Sequence, residues 1–327
     1  MSNPSGKKSL TVYGVLLLAL VVACLVSMLA GAAPLPTNDV WHSGILRLRL
    51  ARTALGVVAG AGLSVAGVVF QAILRNPLAE PYVLGVSSGA GLGAALAIVL
   101  GLSATGPWAL PATAFAGAMA TILLVYGLAR TSTDAAPVQT LLLSGVVVSA
   151  VLGSILMFVV SVTPSEKLHS VVWWLLGNLQ IFDWGLLRIV SAVVAAGLAV
   201  SVLFARDLNL MVLGEEPAAH LGLDVEWTKK LFFLLASLMT GATVAACGLI
   251  GFVGLIVPHT VRLIAGPDHR RLVTASALAG AAFLVLADSV ARTIIAPREV
   301  PIGVITAILG GPFFLALLRK RKASYWN

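Results

Sequence analysis

The sequence predicts an all-α, polytopic membrane protein, and three observations predict it. The chain has 327 residues, of which 59% are hydrophobic and only 10% charged, with a mean hydropathy of +1.02. A soluble domain carries about 25% charged residues, so lipid must solvate much of this surface. The apolar residues gather into runs of about 20, the length that crosses a hydrocarbon core as a helix. The few charges fall singly or in pairs between those runs. Helix is the spanning state, because open sheet edges have no partners in hydrocarbon.

The elements follow in order. Lys7 and Lys8 precede a first apolar run over 10–31 that ends Ala30-Gly31-Ala32. The small residues resemble a signal-peptide cleavage site, but an h-region has only 7–15 apolar residues. The run is therefore read as an uncleaved first span. Further spans are predicted at 51–73, 84–102, 108–129, 138–161, 185–205, 230–248, 250–265, 272–294 and 301–318. That makes about ten spans in one domain covering 1–327, with both termini on the same side. The stretch 161–183, with Pro164, Trp173 and Trp174, and Trp184 just beyond it, predicts a short interfacial helix in an aromatic belt. The stretch 207–227 is too polar to span yet helix-prone. Gly214 and Pro217 are expected to break it into two short helices at the membrane surface. Exposed apolar side chains there, Leu210, Met211 and Leu213, predict a docking surface for a soluble partner.

Charge sets orientation. With the N-terminus inside, inner segments collect 14 of the 21 lysines and arginines, from Lys7 and Arg75 to Lys229, Lys230, Arg270, Arg271 and the tail 319–322. That bias predicts cytoplasmic termini. The outer set is Arg47, Arg49, Arg52, Lys167, Arg188, Arg292 and Arg298. These side chains either snorkel to headgroups or form a cationic face for an acidic partner. The net charge of +8 is scattered, with no basic stripe, so no nucleic-acid partner is expected.

The residues exclude several chemistries. No phosphate-binding Gly-x-x-x-x-Gly-Lys-Ser/Thr loop occurs, so ATP hydrolysis would belong to another subunit. Gly56 and Gly60, and Gly85, Gly89 and Gly93, lie four apart on predicted helices, where small residues allow close packing. Asp288 and Arg292 are spaced to pair across one helical turn. His259 and Arg262 fall near the inner end of their span. No set of mid-membrane carboxylates suggests an ion-coupled carrier, and no His-Glu-x-x-His motif suggests an intramembrane protease. Cys24 and Cys247 lie within apolar segments, without metal-ligand spacing. No cofactor, metal site or catalytic residue is expected.

Five motifs carry a resemblance: Arg-Leu-Ala-Arg-Thr (49–53), Arg-Asn-Pro-Leu-Ala-Glu-Pro (75–81), Leu-Gly-Val-Ser-Ser-Gly-Ala (84–90), Gly-Leu-Ile-Gly-Phe-Val-Gly-Leu-Ile-Val-Pro-His (248–259) and Glu-Val-Pro-Ile-Gly-Val-Ile-Thr (299–306). They closely resemble the FecCD family, the permeases of type II ABC importers for iron–siderophores, haem and vitamin B12. The resemblance implies that fold and a homodimer of ten-helix subunits with the path at the interface. It also implies two cytoplasmic ATPase subunits, and a periplasmic or lipid-anchored binding protein delivering the ligand at the inner membrane. It places the ATPase-coupling helices over Leu208 to Asp224, with Gly214, Glu215 and Glu216, then His220, Leu221 and Gly222, at matching positions. It maps the arginines that dock the binding protein onto Arg49, Arg52 and Arg292, and the cytoplasmic gate onto Val138 and Gln139. The expected cargo is a ferric siderophore, with cobalamin or haem as the alternatives and an ion-coupled carrier as the less favoured class.

Overall fold

The computed structural model of the chain describes residues 4–31, 44–130, 136–180 and 183–325. The side chains of Lys7, Lys8 and Lys320 to Lys322 and the outer stretch 32–43 lie outside what it describes. Thirteen α-helices occur among the described residues: α1 (Pro4–Leu29), α2 (Gly44–Ile73), α3 (Val86–Val99), α4 (Ala109–Ala129), α5 (Val138–Ser161), α6 (Ser165–Leu175), α7 (Trp184–Leu203), α8 (Ala205–Leu213), α9 (Glu215–His220), α10 (Val225–Cys247), α11 (Val253–Ala265), α12 (His269–Thr293) and α13 (Ile302–Tyr325). Each predicted span coincides with one of them. Seven are long and apolar enough to cross a membrane, whereas α3, α11 and the described apolar part of α13 are shorter.

The core is α2, packed lengthwise against α12 and flanked by α10 and α11. In lipid, helices associate through close packing rather than hydrophobic exclusion, so small residues sit at the tightest crossings. A Cβ added at Gly60 of α2 would strike the Gly280 backbone of α12, and one at Gly67 would strike the Gly254 backbone of α11. The predicted glycine stripe of α3 does the same work, since Gly89 and Gly93 face the α4 backbone at Gly117 and Thr113. By contrast α1 and α5 are mostly unburied, with Leu18, Leu25, Leu143, Val147 and Phe158 all exposed.

At 14 and 13 residues, α3 and α11 reach only about 20 Å. The irregular backbone before them lies against protein. Phe252 N–H donates to the Glu80 carboxylate, and Ile250 N–H donates to the Tyr82 hydroxyl at 2.9 Å. Asn178 N–H donates to the Cys247 carbonyl at 2.8 Å, and Gly303 N–H to the Leu176 carbonyl at 3.0 Å. Non-helical backbone survives at membrane depth only when satisfied in this way.

The stretch after α5 forms the short helix that its sequence predicts, α6. Its end turns in against α3, with Leu175 on Gly91, because a glycine there leaves room for a side chain. In the inner loop Gly214 alone makes the break. Pro217 lies within the first turn of α9, where its missing N–H would have had no intrahelical partner.

Candidate coupling surface and outer arginine cluster

The short helices α8 and α9 run between α7 and α10. Gly214 separates them at φ 121°, a conformation open to glycine and strained for other residues. The α8 helix is amphipathic, with Ala205, Leu208 and Met211 buried. Here the sequence reading is corrected: Met211 is fully buried and Leu210 half-buried, while Leu213 is 60% exposed. Helical periodicity decides this, since 208 and 211 share the face that packs on α2 and α12. The outward face comprises Val212, Leu213, Glu216, His220, Leu221 and Gly222, with Trp227 beyond. Gly214 is buried, and Glu215 is half-buried in an ion pair.

Polar contacts pin α8 in place. Asn209 donates from Nδ2 to Asp268 Oδ1 at 2.8 Å, and its Oδ1 accepts the His269 N–H at 2.9 Å. Asp268 also caps α12 by accepting the Arg270 N–H at 3.1 Å. The bond from Asn209 holds the Asp268 carboxyl below its ordinary range, against the opposing effect of partial burial. The neighbouring α9 is held differently. Lys229 of α10, only 2% exposed, donates from Nζ to Glu215 Oε2 at 3.2 Å, to Glu226 Oε1 at 2.9 Å and to the Ala136 carbonyl at 3.2 Å. Ala136 lies just ahead of α5, where Val138 is buried and Gln139 exposed. Nearby, Arg262 donates to the Gln71 side chain at 2.9 Å, tying α11 to the inner end of α2.

Arg49, Arg52 and Arg292, the arginines that the resemblance singles out, form one largely buried cluster. Arg52 spans two carboxylates: Nη2 lies 2.8 Å from Asp288 Oδ1 and Nη1 lies 2.9 Å from Glu299 Oε2. Arg292 pairs with Asp288 at 3.0 Å, as the spacing predicted. Its Nη2 donates to Ser27 Oγ at 2.8 Å and its Nη1 to the Ala30 carbonyl at 3.2 Å. Arg49 donates to the carbonyls of Met28 and Leu29 at 2.7 and 3.1 Å. The last carbonyls of a helix have no intrahelical partner and carry partial negative charge. Arg49 and Arg292 therefore cap the end of α1. They are 6% and 4% exposed, so their guanidinium groups are engaged internally rather than held outward. Gln180, in the segment after α6, reaches Glu299 at 3.1 Å. The exposed outer cations are Arg47, Arg188 and Arg298.

Sequence reasoning missed Lys229, Asn209, Asp268, Glu299 and Gln180. For Lys229, Glu226 three residues before it is a usable sequence signal of pairing.

This fold has a pair of short helices clamped to a bundle of broken spans, and it defines a permease of a type II ABC importer. A solved structure described as an inward-facing metal-chelate type ABC transporter superposes with a TM-score of 0.85 at 31% identity, covering 95% of this chain and 99% of the other. The FecCD transport family matches residues 18–320, and the chain belongs to it. Among curated relatives, the cobalamin import system permease protein BtuC of Halobacterium salinarum is 47% identical over 84% of this chain and 73% of its own. The Fe(3+) dicitrate permease FecD of Escherichia coli is 41% identical, covering 92% and 96%. The hemin permease HmuU of Yersinia pestis is 37% identical, covering 94% and 95%. The chain is a multi-pass membrane transport subunit and not an enzyme. Permeases of this class work with separate ATPase subunits and substrate-binding proteins.

Proposed function

We propose that this permease imports a metal chelate whose metal is enclosed by its organic ligand, a ferric siderophore being the leading cargo. In this reading two copies of the chain form the path, two cytoplasmic ATPase subunits drive it, and an extracytoplasmic binding protein delivers the ligand. The termini face the cytoplasm and the membrane is the inner one, as the lysine and arginine distribution supports.

The observation that carries the importer mechanism is the α8–α9 pair. It is clamped from within by Leu208, Met211 and Asn209, yet it presents Leu213 and Leu221, each about 60% exposed, to the aqueous side. Such a surface fits a partner's groove. ATP binding would close the ATPase dimer, move this pair and switch access between the two sides of the membrane. No group of three or more His, Cys, Asp or Glu suited to a metal occurs among the described residues. In this reading selection rests with the binding protein, and the path passes a bulky chelate. At the outer face, Arg47 and Arg298 are exposed beside Arg52 and Glu299 in the chain. They are the cations through which an acidic binding protein would dock, with Arg49, Arg52 and Arg292 supporting that rim from below.

A second cargo, cobalamin, is favoured by the 47% identity to the Halobacterium permease. Uptake into proteoliposomes holding the reconstituted complex, with ferric siderophore, haem and cobalamin supplied in parallel, decides between them. ATP-dependent accumulation of one chelate is the expected result. Accumulation of none, with an ATPase that fails to co-purify, would overturn the importer reading.

A further inference from the structure

The Lys229 ammonium is buried at the junction of three segments and has one acceptor in each. Glu215 is the first residue of α9, Glu226 lies in the first turn of α10, and Ala136 immediately precedes α5 with its Pro137 cap. A buried ammonium is stable only while its donors are satisfied. All three acceptors must therefore follow the lysine, or it them. The two inner helices are also held unequally. Contacts with α2, α7 and α12 and the Asn209–Asp268 bond fix α8 to the bundle. Beyond Gly214, a residue at φ 121°, the polar tie of α9 to the bundle among the described residues runs through Glu215 and Lys229.

We infer that Lys229 is a positioning residue that carries displacement of α9 to the cytoplasmic end of α5, by bridging Glu215 and the Ala136 carbonyl. The inference rests on α8–α9 being the ATPase-facing surface, and it names the side chain through which that surface reaches Val138 and Gln139. Movement at α9 alone, with α8 stationary, would shift the start of α5. The buried ammonium would otherwise lose an acceptor.

The test needs no partner. Hydrogen exchange is measured on the purified full chain in detergent micelles, for the α5 amides of Leu141 to Leu143 and the α8 amides of Leu208 to Leu210. Glu215→Gln should speed exchange at Leu141 to Leu143 by roughly tenfold, the factor for one charge-assisted hydrogen bond at the low end of its range, and leave α8 unchanged. Glu216→Gln makes the same charge change on an exposed neighbour and should do neither. In a Lys229→Gln background, Glu215→Gln should add nothing further at α5, while Lys229→Arg should restore most of the coupling. Failure of Glu215→Gln to affect α5, or an equal effect from Glu216→Gln, would overturn the inference even if Lys229→Gln does not fold. An effect of Glu215→Gln that persists without the lysine would also overturn it. Co-purification of the ATPase tests the surface itself, so the two failures are distinguishable.

Discussion

Asp288→Asn isolates the outer cluster most sharply. The carboxylate is 2% exposed and lies between two guanidinium groups, 2.8 Å from Arg52 and 3.0 Å from Arg292. Losing its charge leaves Arg292, itself buried, with neutral acceptors on α1 and on its own helix, while Arg52 keeps Glu299. Removing one member of a buried ion pair costs about 3–5 kcal/mol. The retained Glu299 contact puts this case near about 3 kcal/mol, a factor of roughly 150 in the unfolding equilibrium. Glu299→Gln is the internal comparison. That carboxylate is 30% exposed, and its amide replacement still accepts from Arg52, so its loss should cost no more than about 1 kcal/mol. Denaturation in mixed micelles of rising SDS content, followed by far-ultraviolet circular dichroism, gives both numbers on the purified chain. Asp288→Asn should unfold at clearly lower SDS, with the end of α1 released first because Arg292 caps it. Equal midpoints for the two variants would refute the assignment of Asp288 as the buried counter-ion of the cluster.

Other expectations follow from the same contacts. Met211→Ala should destabilise the chain by about 2–4 kcal/mol because it empties a fully buried site. Leu213→Ala should leave the SDS midpoint nearly unchanged yet reduce ATPase co-purification, and similar midpoints for the pair would count against the burial pattern of α8. Reversing the exposed Arg47 and Arg298 to glutamate should preserve assembly and basal ATPase activity but remove stimulation by the binding protein, whereas undiminished stimulation would move docking elsewhere. Asp268 is depressed in the folded state, so its stabilising contribution is present above the unfolded carboxylate value of about 4 and fades as pH falls through the folded one. Exchange protection at the α8 amides should therefore drop on acidification below about pH 4. Asp268→Asn should show lower protection at neutral pH and little further loss in acid.

Much of the fold is legible in the chain because hydropathy and helix length are local quantities. Each predicted apolar run became a helix, and the division of 230–265 into α10 and α11 appears in both. The 250–265 span reads as short in the sequence alone, as α11 is, but the shortness of α3 within 84–102 is less legible. Whether an apolar run spans fully or starts at depth depends on partners for its preceding backbone, such as Glu80 for Phe252 and Tyr82 for Ile250, and these lie about 170 residues away in sequence. The coupling segment was found for its polarity. Its faces were misassigned at Met211 because polarity says where a helix lies and periodicity against neighbours says which side turns in.

The sequence by itself determined the solvent, the spans and, through five motifs spread from 49 to 306, the family. Those features follow from composition and from short stretches of contiguous residues. Only the tertiary structure decided what the rare charges do. Arg49 and Arg292 cap the end of α1, Asp288 is shared by two arginines, and Lys229 joins α9 to the approach to α5 rather than merely marking the inner face. A charge in lipid is held by its nearest counter-charge or carbonyl, and those partners come from helices the chain brings together only on folding.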